Sequence, residues 1–141
     1  MGWGETQKLI VERNLDIGRF RFYENITVGE IKEGVHVTFE SAVLPLQIAE
    51  QIYGDHKPVV YISNRINSYS IDPIGYYEAI KLFPNLKAFA IVSNKRHRKM
   101  LASLEKLFMR KPIRVFDTVD EAFEWAAQLL ENDGLHQKLS T

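Results

Sequence analysis

Apolar and polar positions alternate along the first third of the chain. Leu9 to Arg13 is a short apolar–polar stretch, a turn follows around Asn14, Asp16 and Gly18, and Arg19-Phe20-Arg21-Phe22-Tyr23-Glu24 then alternates strictly. That period predicts a half-buried strand with Phe20 and Phe22 on the core and Arg19 and Arg21 in water. After Asn25, Ile26-Thr27-Val28-Gly29-Glu30-Ile31 alternates again and closes at Glu33-Gly34. Connections this short predict antiparallel pairing. From Thr38 the period lengthens. Phe39, Ala42, Val43, Leu46, Ala49 and Tyr53 recur at three- and four-residue steps, which predicts an amphipathic helix ended by Gly54. Pro45 removes one hydrogen bond inside it, so the helix is expected either to kink there or to start later than Thr38.

The texture changes once more after Gly54. Pro58 to Ser63, Ala88 to Val92 and Ile113 to Phe116 are short apolar runs without clean alternation. Strands buried on both faces read this way, which predicts parallel neighbours covered by helices. Three helical patterns accompany these runs. Asp72-Pro73 is an N-cap followed by proline at the first helical position, with Tyr76, Tyr77, Ile80 and Phe83 inward. Asn94 can cap the next, whose stripe is His97, Met100, Leu101, Leu104, Leu107 and Phe108. Thr118 to Glu121 is a capping box, with Val119, Ala122, Phe123, Ala126, Leu129 and Leu130 inward.

The predicted order is β-β-β-α-β-α-β-α-β-α. It describes an α/β fold with an open mixed sheet, antiparallel at its N-terminal strands and parallel after them, and four helices over its faces. Residues 8–131 are expected to form one domain, with flexible termini at 1–7 and 132–141, since the residues from Glu131 onward are polar.

Composition narrows the function classes. The 141 residues are 45% hydrophobic, enough for one domain with its own core. Eighteen basic and eighteen acidic residues cancel, so no global field draws the chain to nucleic acid. Cysteine is absent, which removes disulfides, thiolate nucleophiles and Cys-based zinc sites and fits a reducing compartment. No apolar run approaches the roughly 18 residues that span a bilayer, and the N-terminus lacks a signal-peptide core. A cytoplasmic location is expected. Met1 to Thr6 fits the myristoylation consensus, a pattern short enough to arise by chance in a flexible end.

Catalytic motifs are missing. No strand is followed by GxxxxGK[ST] or GxGxxG, and there is no GxSxG elbow. His36, His56, His97 and His136 have no metal-ligand spacing, so neither a metal nor a cofactor is expected, and an enzyme is not expected either. Two segments stand out. Ser63 to Gly75 joins a buried parallel strand to a capped helix, where open α/β sheets commonly place their sites. It is longer than the roughly two to six residues usual for such a loop. Its candidate partner-binding residues are Ser63, Asn64, Arg65, Asn67, Ser68, Tyr69, Ser70, Asp72 and Gly75. The plainer account is a loop whose Ser and Asn side chains satisfy its own turns. The second segment is the basic helix start at Lys95, Arg96, Arg98 and Lys99. Cations there oppose the helix dipole, which contact with an acidic partner or anion would explain, as would a solvated face.

Early sheet strands, one helix, then a buried strand leading through a polar loop into a glycine-bearing helix: this order resembles the STAS-like family. Its members are relatives of bacterial anti-sigma-factor antagonists and of the cytoplasmic domains of sulphate transporters. The likeness runs from about Ile10 to Leu130. The layout also looks like that of distant Sec14-type lipid-binding relatives. In phospho-switched members the loop carries aspartate–serine–(serine or threonine)–glycine–leucine–glycine, and a hydroxyl accepts phosphate from a partner kinase. The matching stretch is Ser70-Ile71-Asp72-Pro73-Ile74-Gly75. Gly75 matches the final glycine, but Asp72 stands where the phosphorylated hydroxyl would be and Pro73 replaces the middle glycine. The resemblance therefore implies a non-enzymatic regulatory module without a phospho-switch at Asp72, although Ser68 and Ser70 remain nearby hydroxyls. Its expected partners are a protein such as a kinase or anti-sigma-like regulator, or a second copy of the chain. The alternative is a binding domain for a lipid or small apolar molecule, with Phe39, Tyr76, Tyr77 and Phe83 as pocket walls.

Overall fold

The computed structural model describes residues 7–93 and 111–139. The alternating N-terminal segment forms β1 (Leu9–Leu15), β2 (Gly18–Tyr23) and β3 (Ile26–Ile31), each antiparallel to the next. A two-residue strand β4 (His36–Val37) leads into α1 (Phe39–Tyr53). Then follow β5 (Val59–Asn64), β6 (Ser70–Ile71), α2 (Pro73–Ile80), β7 (Leu86–Val92), β8 (Ile113–Phe116) and α3 (Val119–Leu139). The main sheet has six strands in the order β1-β2-β3-β5-β7-β8, with β3, β5, β7 and β8 mutually parallel. It is the mixed sheet expected.

Four helices were expected, and three stand among the described residues. The helix expected from Asn94 through Phe108, with Lys95, Arg96, Arg98 and Lys99 at its start, lies outside the described residues. Two strands were not foreseen. Both β4 and β6 are two residues long, too short for any period to show, and they pair in parallel with each other away from the main sheet. The expectation that all three later strands are buried on both faces needs one correction. Strands β5 and β7 are almost wholly buried, but β8 closes the sheet as an edge strand, with Arg114 and Val115 exposed. An edge strand has a neighbour on one side only, so less of it is covered.

Period-two alternation sorts the side chains into two cores, one on each face of the sheet. Phe20, Phe22, Val59, Phe89 and Ile91 point to the face covered by α1 and α2. Val28, Val60, Ile62, Ala88 and Ala90 point to the other, where α3 lays Ala122, Phe123 and Ala126. The Phe123 ring meets Tyr23 edge-on at 5.2 Å, so this second core also has an aromatic anchor. Each fully buried aliphatic or aromatic side chain contributes roughly 1.5–3 kcal/mol, which makes these two layers the main source of stability.

Helix α1 begins where the sequence places it and not later. Thr38 accepts from the Ser41 backbone N–H through its side chain, while the Ser41 hydroxyl accepts from the Thr38 backbone N–H at 2.8 Å. This reciprocal cap holds the first turn, and Pro45 inside the helix removes the donor that Ser41 C=O would otherwise meet. Helix α2 stops at Ile80, so Phe83, expected on its inward stripe, is buried just beyond its end. Helix α3 continues to Leu139, past the expected boundary at Glu131. Thr118 accepts from the Glu121 backbone N–H and donates its own proton to the Glu121 carboxylate.

Candidate functional site

The segment from Ser63 to Gly75 leaves the carboxyl end of β5 and is tied down nearly residue by residue. Ser63 is buried, and its hydroxyl lies 3.0 Å from the Tyr69 hydroxyl. Asn64 donates through its side chain to Glu30, which also binds Arg19 at 2.6 Å, so β2, β3 and β5 share one polar cluster. Burial alone would raise the Glu30 carboxyl, but the hydrogen bonds from Arg19 and Asn64, with the charges of Arg19 and Arg21, outweigh it and hold the group below its usual value. Arg65 is only 8% exposed. Its backbone N–H donates to Val92 C=O, and its guanidinium lies over the Tyr69 ring, 4.8 Å from the centroid. Asn67 donates to Ile31 C=O, and the Ser68 N–H donates to Glu33. Ser70 belongs to β6, and its N–H bonds Val35 C=O. The unusual length of the loop therefore has a structural account: it builds a second strand pair and returns polar groups to the sheet.

Two features of this segment depart from the sequence reading. Asp72 occupies the N-cap position of α2, but its carboxylate makes no capping hydrogen bond. Instead, Asp72 Oδ2 lies against Gly75, 2.7 Å from where a Cβ on that glycine would sit, and the backbone N–H of Asp72 donates to Val37 C=O. The same Cβ would stand 3.0 Å from Phe39 N, so a glycine at 75 lets α2 approach the start of α1. The other feature was missed altogether. His36 Nδ1 lies 2.7 Å from Ser70 Oγ on an exposed surface. These residues stand 34 positions apart and meet only because β4 pairs with β6, so no local spacing could have announced them.

Beneath this segment, between the sheet and helices α1 and α2, lies a cavity of about 70 Å³. A single water needs roughly 10–15 Å³ on the same measure, so the space is several times larger than that. Its floor is Phe20, Phe22 and Phe89 from the sheet; Ala42, Pro45, Leu46 and Ala49 of α1 and Ile80 of α2 close it. Of the four aromatic walls expected, Tyr76 and Phe83 line it. Phe39 and Tyr77 do not: Phe39 is exposed, and Tyr77 carries Lys81 over its ring at 4.7 Å.

Four hydroxyl-bearing residues line the cavity, Thr27, Tyr61, Tyr69 and Tyr76. Two are engaged. Tyr53 gives its proton to Tyr23 C=O at 2.6 Å, which leaves Thr27 Oγ1 to donate to the Tyr53 oxygen, and Tyr69 pairs with Ser63. Tyr61 lies across Gly29, where any Cβ would overlap its hydroxyl, and stacks at a tilt on Phe89, 5.1 Å between centroids. Tyr76 meets Phe89 edge-on at 6.4 Å. Burial pushes both hydroxyls well above the usual tyrosine value, so both keep their protons at neutral pH.

Among the described residues no group of three or more His, Asp or Glu side chains gathers as metal ligands would, and no helix is long and apolar enough to cross a membrane. Comparison with protein-family models finds no match, and comparison with curated proteins finds none either.

Proposed function

We propose that this chain is a binding domain for a small, largely apolar molecule held in the cavity between the sheet and helices α1 and α2. One observation carries the reading, an apolar space of about 70 Å³ inside an otherwise continuous core. Protein interiors normally leave few voids larger than a water. Apolar surface that an occupant buries against this apolar wall contributes roughly 25 cal/mol per Å², which favours a small apolar molecule there. The test is a methyl-detected NMR titration with cyclopentane. Saturable shifts should appear at Leu46, Ile71 and Ile80, with a rise in melting temperature, and Ala49→Leu, which fills the cavity, should abolish both. If wall methyls do not respond to the hydrocarbon, the reading is wrong.

A second reading, a non-enzymatic regulatory module that docks a protein partner through the Ser63 to Gly75 segment, rests on a different observation. Ile66 and Ile74 are 64% and 73% exposed within the segment, while the Asn67, Tyr69 and Ser70 side chains between them are committed to internal bonds. Exposed aliphatic side chains flanking a rigid loop suit a protein partner, in keeping with the resemblance to anti-sigma-factor antagonists. Replacing both isoleucines by serine should then weaken capture of a partner, whether a kinase, an anti-sigma-like regulator or a second copy, without lowering thermal stability. Undiminished capture would remove this reading.

A further inference from the structure

We infer that the ligand of this cavity is uncharged and carries one hydrogen-bonding oxygen, such as a small ketone or alcohol, held by the hydroxyls of Tyr61 and Tyr76. This rests on the cavity-binding reading and adds the ligand's chemistry to it.

The first observation is the state of those two hydroxyls. Both residues line the cavity, both are half-buried, and neither hydroxyl makes a hydrogen bond to any described residue. The other two wall hydroxyls are engaged. A hydroxyl in an apolar wall with no protein partner is free to bond a ligand, whereas phenylalanine would pack the same position with no polar atom to offer. Gly29 sharpens the point. A Cβ at position 29 would collide with the Tyr61 hydroxyl, so the glycine there leaves that oxygen its room.

Charge decides the second half. Among the described residues the wall carries no Asp, Glu, Lys, Arg or His. A carboxylate or ammonium entering it would lose its hydration without gaining an opposite charge in contact. Arg65 stands one layer back, across the Tyr69 ring, and its charge reaches Tyr61 and Tyr76. That positive field favours the electron-rich oxygen of a carbonyl or alcohol as acceptor, with the tyrosines as donors. Size follows from the volume. At roughly 10–15 Å³ per water-sized group, the cavity of about 70 Å³ takes about five to seven non-hydrogen atoms.

The experiment compares cyclopentanone, cyclopentane and butanoate, a carboxylate with as many non-hydrogen atoms as the ketone, at neutral pH by the same methyl-detected titration, in the unaltered chain and in the Tyr61→Phe and Tyr76→Phe variants. At least one variant should weaken cyclopentanone about five- to tenfold while cyclopentane changes less than twofold. The carboxylate should not saturate. Both variants should melt no lower than the unaltered chain, since each removes a hydroxyl without a protein partner. If the ketone-to-hydrocarbon affinity ratio is the same in all three proteins, the hydroxyls play no part and the inference fails while the cavity reading stands. Carboxylate binding as tight as the ketone's overturns the neutral-ligand clause. Failure of cyclopentane itself to bind the unaltered chain removes the cavity reading.

Discussion

Glu30 shows how a single position can be tested by pH. Arg19 and Asn64 hold its carboxyl below the ordinary value of 4.5 despite partial burial. Because the folded value lies below the unfolded one, the stability Glu30 contributes is fully present above about 4.5 and is lost as the pH falls through the lower folded value. Glu30→Gln should therefore be less stable than the unaltered chain at neutral pH, and urea unfolding should show that gap narrowing below about pH 4.5. A gap that stays constant down to acid would mean the cluster contributes nothing through charge. Gly29 gives a second test one residue away. Gly29→Ala should destabilise by about 1–3 kcal/mol, because the added methyl meets the Tyr61 hydroxyl. The double variant Gly29→Ala/Tyr61→Phe should recover part of that loss. The strand containing Gly29 was readable from its alternation, but the reason for the glycine was not, since Tyr61 lies on another strand.

The sequence predicts a capping side chain for α2 at Asp72 and none for α1, and the structure reverses the two. Thr38 and Ser41 bond each other reciprocally, whereas the Asp72 carboxylate turns toward Gly75 and caps nothing. Thr38→Ala should cost about 1 kcal/mol by urea unfolding. Asp72→Ala should stay within about 0.5 kcal/mol of zero, as for a surface change without a specific bond. Equal losses at the two positions would contradict these assignments. Cap residue types are visible in a sequence because they act over three or four positions. Whether the side chain rotates to the helix or to a neighbour depends on the packing of α2 against α1.

Because the sheet separates two cores, damage on one face should be felt differently from damage on the other. Phe22 and Phe123 are both fully buried, the first beside the cavity and the second under α3. Each change to alanine should destabilise by about 3–5 kcal/mol. With no shared wall, their effects should add within about 0.5 kcal/mol. Phe123→Ala should leave the affinity of the folded protein for cyclopentane unaltered, while Phe22→Ala, which enlarges the cavity, should change it. Altered affinity in Phe123→Ala would show that the two faces are coupled through the sheet.

Periodicity by itself determined the main strands, the first helix and the division of Phe20 and Phe22 from Arg19 and Arg21, because burial of one face imposes a repeat that a single chain displays locally. It also marked β5 and β7 as covered on both sides, since neither has room for a polar face. Only the tertiary structure decided that β8 is an edge, that β4 and β6 pair, and that His36 meets Ser70 across 34 positions. The same holds for the candidate site. Tyr76 and Phe83 were legible as apolar positions, but Tyr61, the residue on which the ligand's chemistry turns, reads as an ordinary member of a buried run. A cavity is a property of what several elements leave unfilled between them, and no one segment of the chain records that remainder.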